Sequence, residues 1–193
     1  MKNSSSDHEL RFEFGENWGQ FIENLTEDQI VEAEKSLKAM LKVESLDGKK
    51  FLDIGSGSGL FSLAAMRMGA KEVYSFDYDI QSVNCALELK RRYFDEALHW
   101  KIDQGSVLDQ DYLRSLGNFD IVYSWGVLHH TGNMWQALQN AIFPMKKGSL
   151  LFISIYNDQG KMSKFWTAIK RAYNILPREL KFIALPAVFF RHE

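Results

Sequence analysis

The sequence predicts an α/β fold, a doubly wound and mostly parallel sheet, and three observations predict it. Short apolar runs bounded by glycine alternate with longer segments of helical period. The stretch LDIGSGSGLFSLAA, residues 52–65, joins one such run to an amphipathic one through glycines at alternate positions. A chain of 193 residues, 46% hydrophobic with a formal charge of -2, is enough for one domain with a sizeable core.

Taken in order, residues 1–9 are polar and serine-rich and read as a tail. Over 28–43 the apolar positions Ile30, Val31, Ala33, Leu37, Met40 and Leu41 follow a helical period, with Thr26 as N-cap. We take 1–44 as an N-terminal tail and helical cap, and 45–193 as the core with a C-terminal helical segment. Residues 50–54 are short, apolar and bounded by Gly48 and Gly55, a buried strand feeding the glycine turn. Helical spacing resumes over 60–68 and stops at Gly69. A second strand, 72–76, ends at Asp77, and a helix spans 81–93. A third strand, 100–103, runs into Gly105; a fourth, 119–124, is followed by a helix over 134–142, and a fifth covers 150–155. Strands alternating with helices at this spacing require a parallel sheet covered on both faces.

The near-neutral charge argues against a duplex nucleic-acid partner, which calls for a basic excess. One cysteine, Cys85, leaves no disulfide framework and suits a reducing compartment. With no apolar leader and no run of 18 apolar residues, the expected location is cytoplasmic.

In such a sheet a ligand sits beyond the carboxyl ends of the strands. After the first strand come Gly55, Gly57 and Gly59, which permit a tight turn and close approach of a ligand to backbone N–H groups. Nicotinamide sites space their glycines G-x-G-x-x-G around a pyrophosphate. Here the spacing is G-x-G-x-G, and the carboxylate of Asp53 would repel a pyrophosphate while favouring an ammonium group, directly or through water. Asp77, 22 positions beyond Gly55, is placed to accept both hydroxyls of a ribose. The ligand these residues describe is a nucleoside joined to an amino acid, with the segment Asp103–Val107 near a base edge.

The ordered set LDIGSGSG, FDYD, GSVLD and FDIVYSWGVLHH resembles the class I S-adenosylmethionine-dependent methyltransferases, in particular the quinone-biosynthesis-like branch with V-L-H-H after the fourth strand. The resemblance covers about residues 45–157. The flanks RFEFGENW and IYNDQGKMSKFW are similar to a bacterial subgroup of small-molecule or glycan-associated methyltransferases. It implies a Rossmann-like methyltransferase fold, S-adenosyl-L-methionine as cofactor and S-adenosyl-L-homocysteine as product. It also implies that Asp53, Gly55, Ser56, Gly57 and Gly59 hold the methionine part, that Asp77 binds the ribose, and that Tyr78 lies against the adenine. Ser106 stands where many relatives carry an acid for the adenine amino group, and Val107 offers its N–H. Ser124 and Trp125 line the methyl region. The usual lysine-proline-glycine-glycine turn before strand five is replaced by residues 144–149.

A sulfonium methyl is already activated, so the protein has to align the acceptor and exclude water. For a hydroxyl or phenol acceptor a base is needed, and His130 or His129 stands after the fourth strand; the competing reading is that one satisfies a carbonyl and the other faces solvent. Adjacent histidines are a poor metal site, and no metal is expected. Cys85 reads as a small buried residue, His8 and His99 as solvent-facing, and Asp120 as a turn residue. Tyr156, Asn157 and Asp158 either touch substrate or satisfy their own loop. Trp18 is either part of a lid or an anchor for the N-terminal helix.

Farther on, Met162, Phe165, Trp166, Ile169 and Tyr173 share one helical face beside Lys161, Lys164, Lys170 and Arg171. That face packs on the sheet or meets a lipid or anionic glycan-lipid surface at the membrane periphery. The terminal antiparallel hairpin of the family is not evident, so the pattern is modified or the chain truncated; an open edge would favour a homodimer over a monomer. Three functions follow from these residues. The first is methyl transfer to a small-molecule or lipid- or glycan-linked acceptor. The alternatives are a nicotinamide-dependent oxidoreductase and a non-catalytic nucleoside-binding module.

Overall fold

The computed structural model of the chain describes residues 21–156 and 160. Residues 21–155 belong to one compact unit; Tyr156 and Gly160 belong to a second, which begins at Tyr156. The expectations for residues 1–9, Trp18, Asn157, Asp158 and 161–193 lie outside the described residues.

Helix α1 (Glu27–Leu41) opens with a capping box, in which the Thr26 side chain accepts from Gln29 N–H and the Gln29 side chain accepts from Thr26 N–H. It ends two residues before the sequence reading, because Lys42 adopts a left-handed φ of 56° and its N–H closes onto the Lys38 carbonyl. Strand β1 (Lys50–Ile54) leads to α2 (Leu60–Arg67), β2 (Glu72–Asp77), α3 (Ile80–Tyr93) and β3 (Trp100–Gln104). Helix α4 (Gln110–Ser115), capped by Asp109, is an element the sequence reading lacked. Strand β4 (Phe119–Trp125), a short 3-10 turn (Leu128–His130), α5 (Met134–Asn140) and β5 (Met145–Ser154) complete it. The last helix stops short of the expected 142, where Pro144 follows.

All pairings are parallel and the strand order is β3-β2-β1-β4-β5, so the order reverses between β1 and β4. Two cores result, one on each face. Phe51, Val73, Ile121 and Tyr123 pack with α1, α2 and α3; Leu52, Ile54, Phe76 and Val122 pack with α4 and α5. The alternation along β1 is the physical signature of a strand buried on both sides. Of the turn expected over 144–149, all but Pro144 lies inside the bounds of β5. Pairing jumps from Phe119↔Met145 to Ile121↔Leu150, and Ser149 Oγ holds the excursion by accepting from Lys146 N–H and donating to the Phe119 carbonyl.

Tyr123 is 1% exposed, stacked on Phe152 and tilted against Phe51 and Phe61. Its hydroxyl is buried without a hydrogen-bond partner among the described residues. Tyr123→Phe should therefore leave stability unchanged or raise it by up to about 1 kcal/mol, since a buried hydroxyl with no partner carries only its desolvation cost. Urea unfolding of the two proteins tests this. A loss above about 1 kcal/mol would reveal a partner for that hydroxyl.

Candidate functional site

The site is assembled where the strand order reverses, at the carboxyl ends of β1, β2 and β4. Beyond β1 the chain must turn sharply into α2, and Gly55, Gly57 and Gly59 do so with φ of 73°, 54° and 81°. Only glycine holds three such left-handed positions at low cost. Gly55 and Ser56 donate their N–H groups to the Phe76 carbonyl at 2.9 and 3.1 Å, which ties the turn to the end of β2. A side chain at Gly55 would collide with Val127 from the loop after β4, and one at Gly59 would come within 2.8 Å of Ala86 Cβ in α3. No side chain caps the N-terminus of α2, so its first N–H groups remain for a ligand. The Ser56 hydroxyl is buried and has no partner among the described residues. A polar group arriving at this turn would satisfy both, and the residues present fit the amino-acid end of S-adenosylmethionine.

Asp77 ends β2 and faces the same turn. Its carboxylate accepts from Gly57 N–H at 2.9 Å and from Asp79 N–H at 3.0 Å. Burial raises its pKa; the backbone N–H groups of Asp79, Gly57 and Tyr78 oppose that, while the Asp79 charge adds to it. Each carboxylate oxygen has lone pairs beyond these bonds, enough to accept hydroxyls of a ribose.

Asp53, expected to favour an ammonium group directly or through water, is not placed for direct contact. It is 3% exposed and points into the layer between the sheet and α2, where Ser62 Oγ donates to it at 2.5 Å. Burial pushes its carboxyl up to about 7, against the pull of the Ser62 hydrogen bond, and the Asp77 charge raises it further. The correction has a simple cause: side chains alternate along β1, and the register that aims Leu52 and Ile54 at one core aims Asp53 at the other. Asp53 supports the turn from beneath instead of lining it.

Tyr78 is half-exposed just past β2, and its carbonyl accepts from Gln104 Nε2 at 3.0 Å, while Gly105 N–H donates to the Asp77 carbonyl. The ends of β2 and β3 are thereby clamped. Ser106 turns its hydroxyl to accept from Leu108 N–H, and the Val107 carbonyl accepts from Asn140 Nδ2 at 2.9 Å. Asn140, fully buried on α5, thus fixes the segment expected near adenine.

Ser124 requires a second correction. It is fully buried and its hydroxyl donates to the Ile54 carbonyl at 3.0 Å, so it stitches β4 to β1 and does not line the methyl region. Trp125, the next residue, points the other way; it is 49% exposed and packs edge-on against Phe61. His129 and His130 lie in the 3-10 turn with ring centroids 3.9 Å apart. Burial lowers both pKa values, and for His129 the neighbouring His130 charge lowers it further. Both imidazoles therefore favour the neutral, proton-accepting form near neutrality. Among the described residues no group of three or more His, Cys, Asp or Glu side chains is arranged to hold a metal ion, and no helix is long and apolar enough to cross a membrane.

The sequence reading missed Val127, Asn140 and the hydroxyls of Ser62 and Ser75. Val127 carried a signal, since it belongs to the quoted SWGVLHH, but a valine carries no chemistry of its own and gains its role only by contact with Gly55. Asn140 was legible as a polar residue at the end of an apolar helix face.

A family model described as a methyltransferase domain matches residues 25–183. A ribosomal protein L11 methyltransferase of Prochlorococcus marinus (strain MIT 9515) is 41% identical over 115 residues, 60% of this chain and 38% of that protein. A ubiquinone biosynthesis O-methyltransferase of Glaesserella parasuis is 31% identical over 125 residues, 62% of this chain and 50% of that protein. The chain thus spans at most half the length of these curated relatives. The magnesium protoporphyrin IX methyltransferase of Synechocystis PCC 6803, solved with bound S-adenosylhomocysteine, has the same fold: TM-score 0.60 at 16% identity, covering 84% of this chain and 74% of that one.

Proposed function

This chain belongs to the methyltransferase-domain family, whose cofactor is S-adenosylmethionine, and we propose that it transfers a methyl group from that cofactor to a small-molecule or lipid- or glycan-linked acceptor. The observation that carries the reading is the bond from Gly57 N–H to the Asp77 carboxylate. It joins the turn suited to an amino-acid group and the acid suited to a ribose at the point where the strand order reverses. Gly55, Ser56, Gly57 and Gly59 would hold the methionine part, with Asp53 beneath them. Asp77 would hold the ribose, and Tyr78 and the Ser106–Val107 backbone the adenine. When bound, the sulfonium supplies a methyl group already activated for displacement.

What remains for the protein is alignment, exclusion of water and removal of a proton. Trp125 presents an apolar wall at the end of β4. His130, with His129 as its neighbour, would take the proton of a hydroxyl or phenol, and burial keeps both imidazoles in the form that can accept it. The relative named for ubiquinone biosynthesis supports a small acceptor of the quinone-related branch, whereas the one named for ribosomal protein L11 acts on a protein. We favour the small acceptor, because the paired histidines suit an oxygen nucleophile that must lose a proton.

Asp77→Ala should weaken S-adenosylhomocysteine binding by about 1–3 kcal/mol, roughly 5- to 150-fold, because two hydroxyls lose a charged acceptor and the Gly57 N–H is left unpaired. Calorimetric titration checks it; unchanged affinity in a folded variant removes Asp77 from the site. For the acceptor, release of S-adenosylhomocysteine is measured with a panel of phenols, lipid-linked sugars, amines and ribosomal protein. Turnover with the protein substrate alone would overturn the small-acceptor reading.

A further inference from the structure

A row of buried polar groups runs beneath the glycine turn, through side chains from four elements. Trp100 Nε1, at the start of β3, donates to Ser75 Oγ of β2 at 2.9 Å. Ser75 Oγ donates to Ser62 Oγ of α2 at 2.7 Å, and Ser62 Oγ donates to Asp53 of β1 at 2.5 Å. Trp100, Ser75 and Ser62 are fully buried, and Asp53 nearly so.

With Asp53 ionised, the direction of this chain is set by chemistry. An indole N–H only donates, so Ser75 must accept from Trp100 and has a single proton to pass on. That proton goes to Ser62, whose own single proton then goes to the carboxylate. A hydroxyl pointing backward at any link would put two donors against each other. Both hydroxyl protons are therefore oriented toward Asp53, and bonds ordered in one direction polarise one another.

We propose that Trp100, Ser75 and Ser62 are positioning residues of the cofactor site, a one-way hydrogen-bond relay that fixes the Asp53 carboxylate beneath the glycine turn and favours its charged form there. The assignment of that turn to the cofactor rests on the function proposed above; the relay itself does not. The charge so held lies under the turn expected to receive the cofactor ammonium, so the relay sets affinity without touching the ligand. The ionisable groups facing Asp53 are Asp77 at the end of β2, whose charge opposes its ionisation, and Tyr123 on β4, whose own pKa the Asp53 charge raises. Neither is a cation, which leaves Ser62 as the group on the sheet-facing side of α2 that favours the carboxylate.

The relay is tested first without ligand. Because burial raises the Asp53 pKa in the fold, the native state holds its proton to higher pH than the unfolded chain does. Its contribution to stability is complete below about pH 4 and lost as pH rises toward about 7. Ser62→Ala removes a donor to the charged form and should move the upper end of that loss upward by about one pH unit. Ser62→Thr restores it, and Ser75→Ala, one link away, gives a smaller shift in the same direction. In an Asp53→Asn background Ser62→Ala shifts nothing. Urea unfolding from pH 4 to 9 reads all four. A uniform loss of stability with no shift in pH profile overturns the relay, since that is what mere packing of a serine would give. S-adenosylhomocysteine titration of the same variants is the second readout. At pH 7 Ser62→Ala should bind about 5-fold more weakly, the ratio of charged Asp53 for a one-unit rise from about 7, with the deficit shrinking as pH rises. A pH-independent deficit, or none, overturns the link from relay to cofactor. Failure of the unmodified protein to bind the cofactor overturns the proposed function and that link, while the unfolding profiles still decide the relay.

Discussion

His130→Ala is expected to lower turnover with an oxygen acceptor about 10²–10⁴-fold while leaving S-adenosylhomocysteine affinity nearly unchanged. The imidazole sits in the 3-10 turn after β4, and the backbone that carries it touches the cofactor turn through Val127. Proton removal belongs to the transition state, so its loss falls on kcat and not on cofactor binding. The pH dependence fixes the sign. Burial lowers the His130 pKa from its ordinary 6.5, so the neutral base is already abundant at pH 7 and activity should fall on acidification below that ordinary value. His129→Ala is the control. It removes a ring tilted against His130 with centroids 3.9 Å apart and should leave most of the rate. If His130→Ala instead lowers only the folded fraction, with the rate per folded molecule intact, the histidine is structural and the acceptor is one that needs no base.

Gly57→Val should abolish cofactor binding while the sheet stays folded. The position has φ of 54°, a conformation that a β-branched residue reaches only with strain of about 1–2 kcal/mol or more. Its N–H is also the donor to Asp77, so any backbone adjustment that relieves the strain pulls the turn away from the acid. Circular dichroism reports the sheet and calorimetry the ligand. Tight binding retained by the valine variant would show that the turn does not hold the cofactor.

How far these features were readable in the sequence depended on how local their causes are. Strand β1 and the Thr26 cap were legible because an apolar run between glycines and a capping side chain act within a few residues. Helix α4 was not, since six residues complete too few turns to show a period. The turn at 144–149 was recognised, but its inclusion in β5 depends on Ser149 reaching the Phe119 carbonyl 30 positions away. In the site, Asp77 was placed correctly at the end of β2 because its position follows from strand length. The orientations of Asp53 and Ser124 were not, because each depends on the sheet face to which the residue is turned, and polar residues there break the apolar pattern that would reveal it. The relay from Trp100 to Asp53 links residues 47 positions apart and leaves no periodic trace.

The central claim is the identity of the cofactor, and one titration tests it most directly. The unmodified protein is titrated in a calorimeter with S-adenosylmethionine, S-adenosylhomocysteine and NAD under one buffer. Saturable binding of the two adenosyl amino acids and no heat with NAD is the result expected from G-x-G-x-G spacing joined to Asp77. Saturable binding of NAD with none of S-adenosylhomocysteine would contradict it.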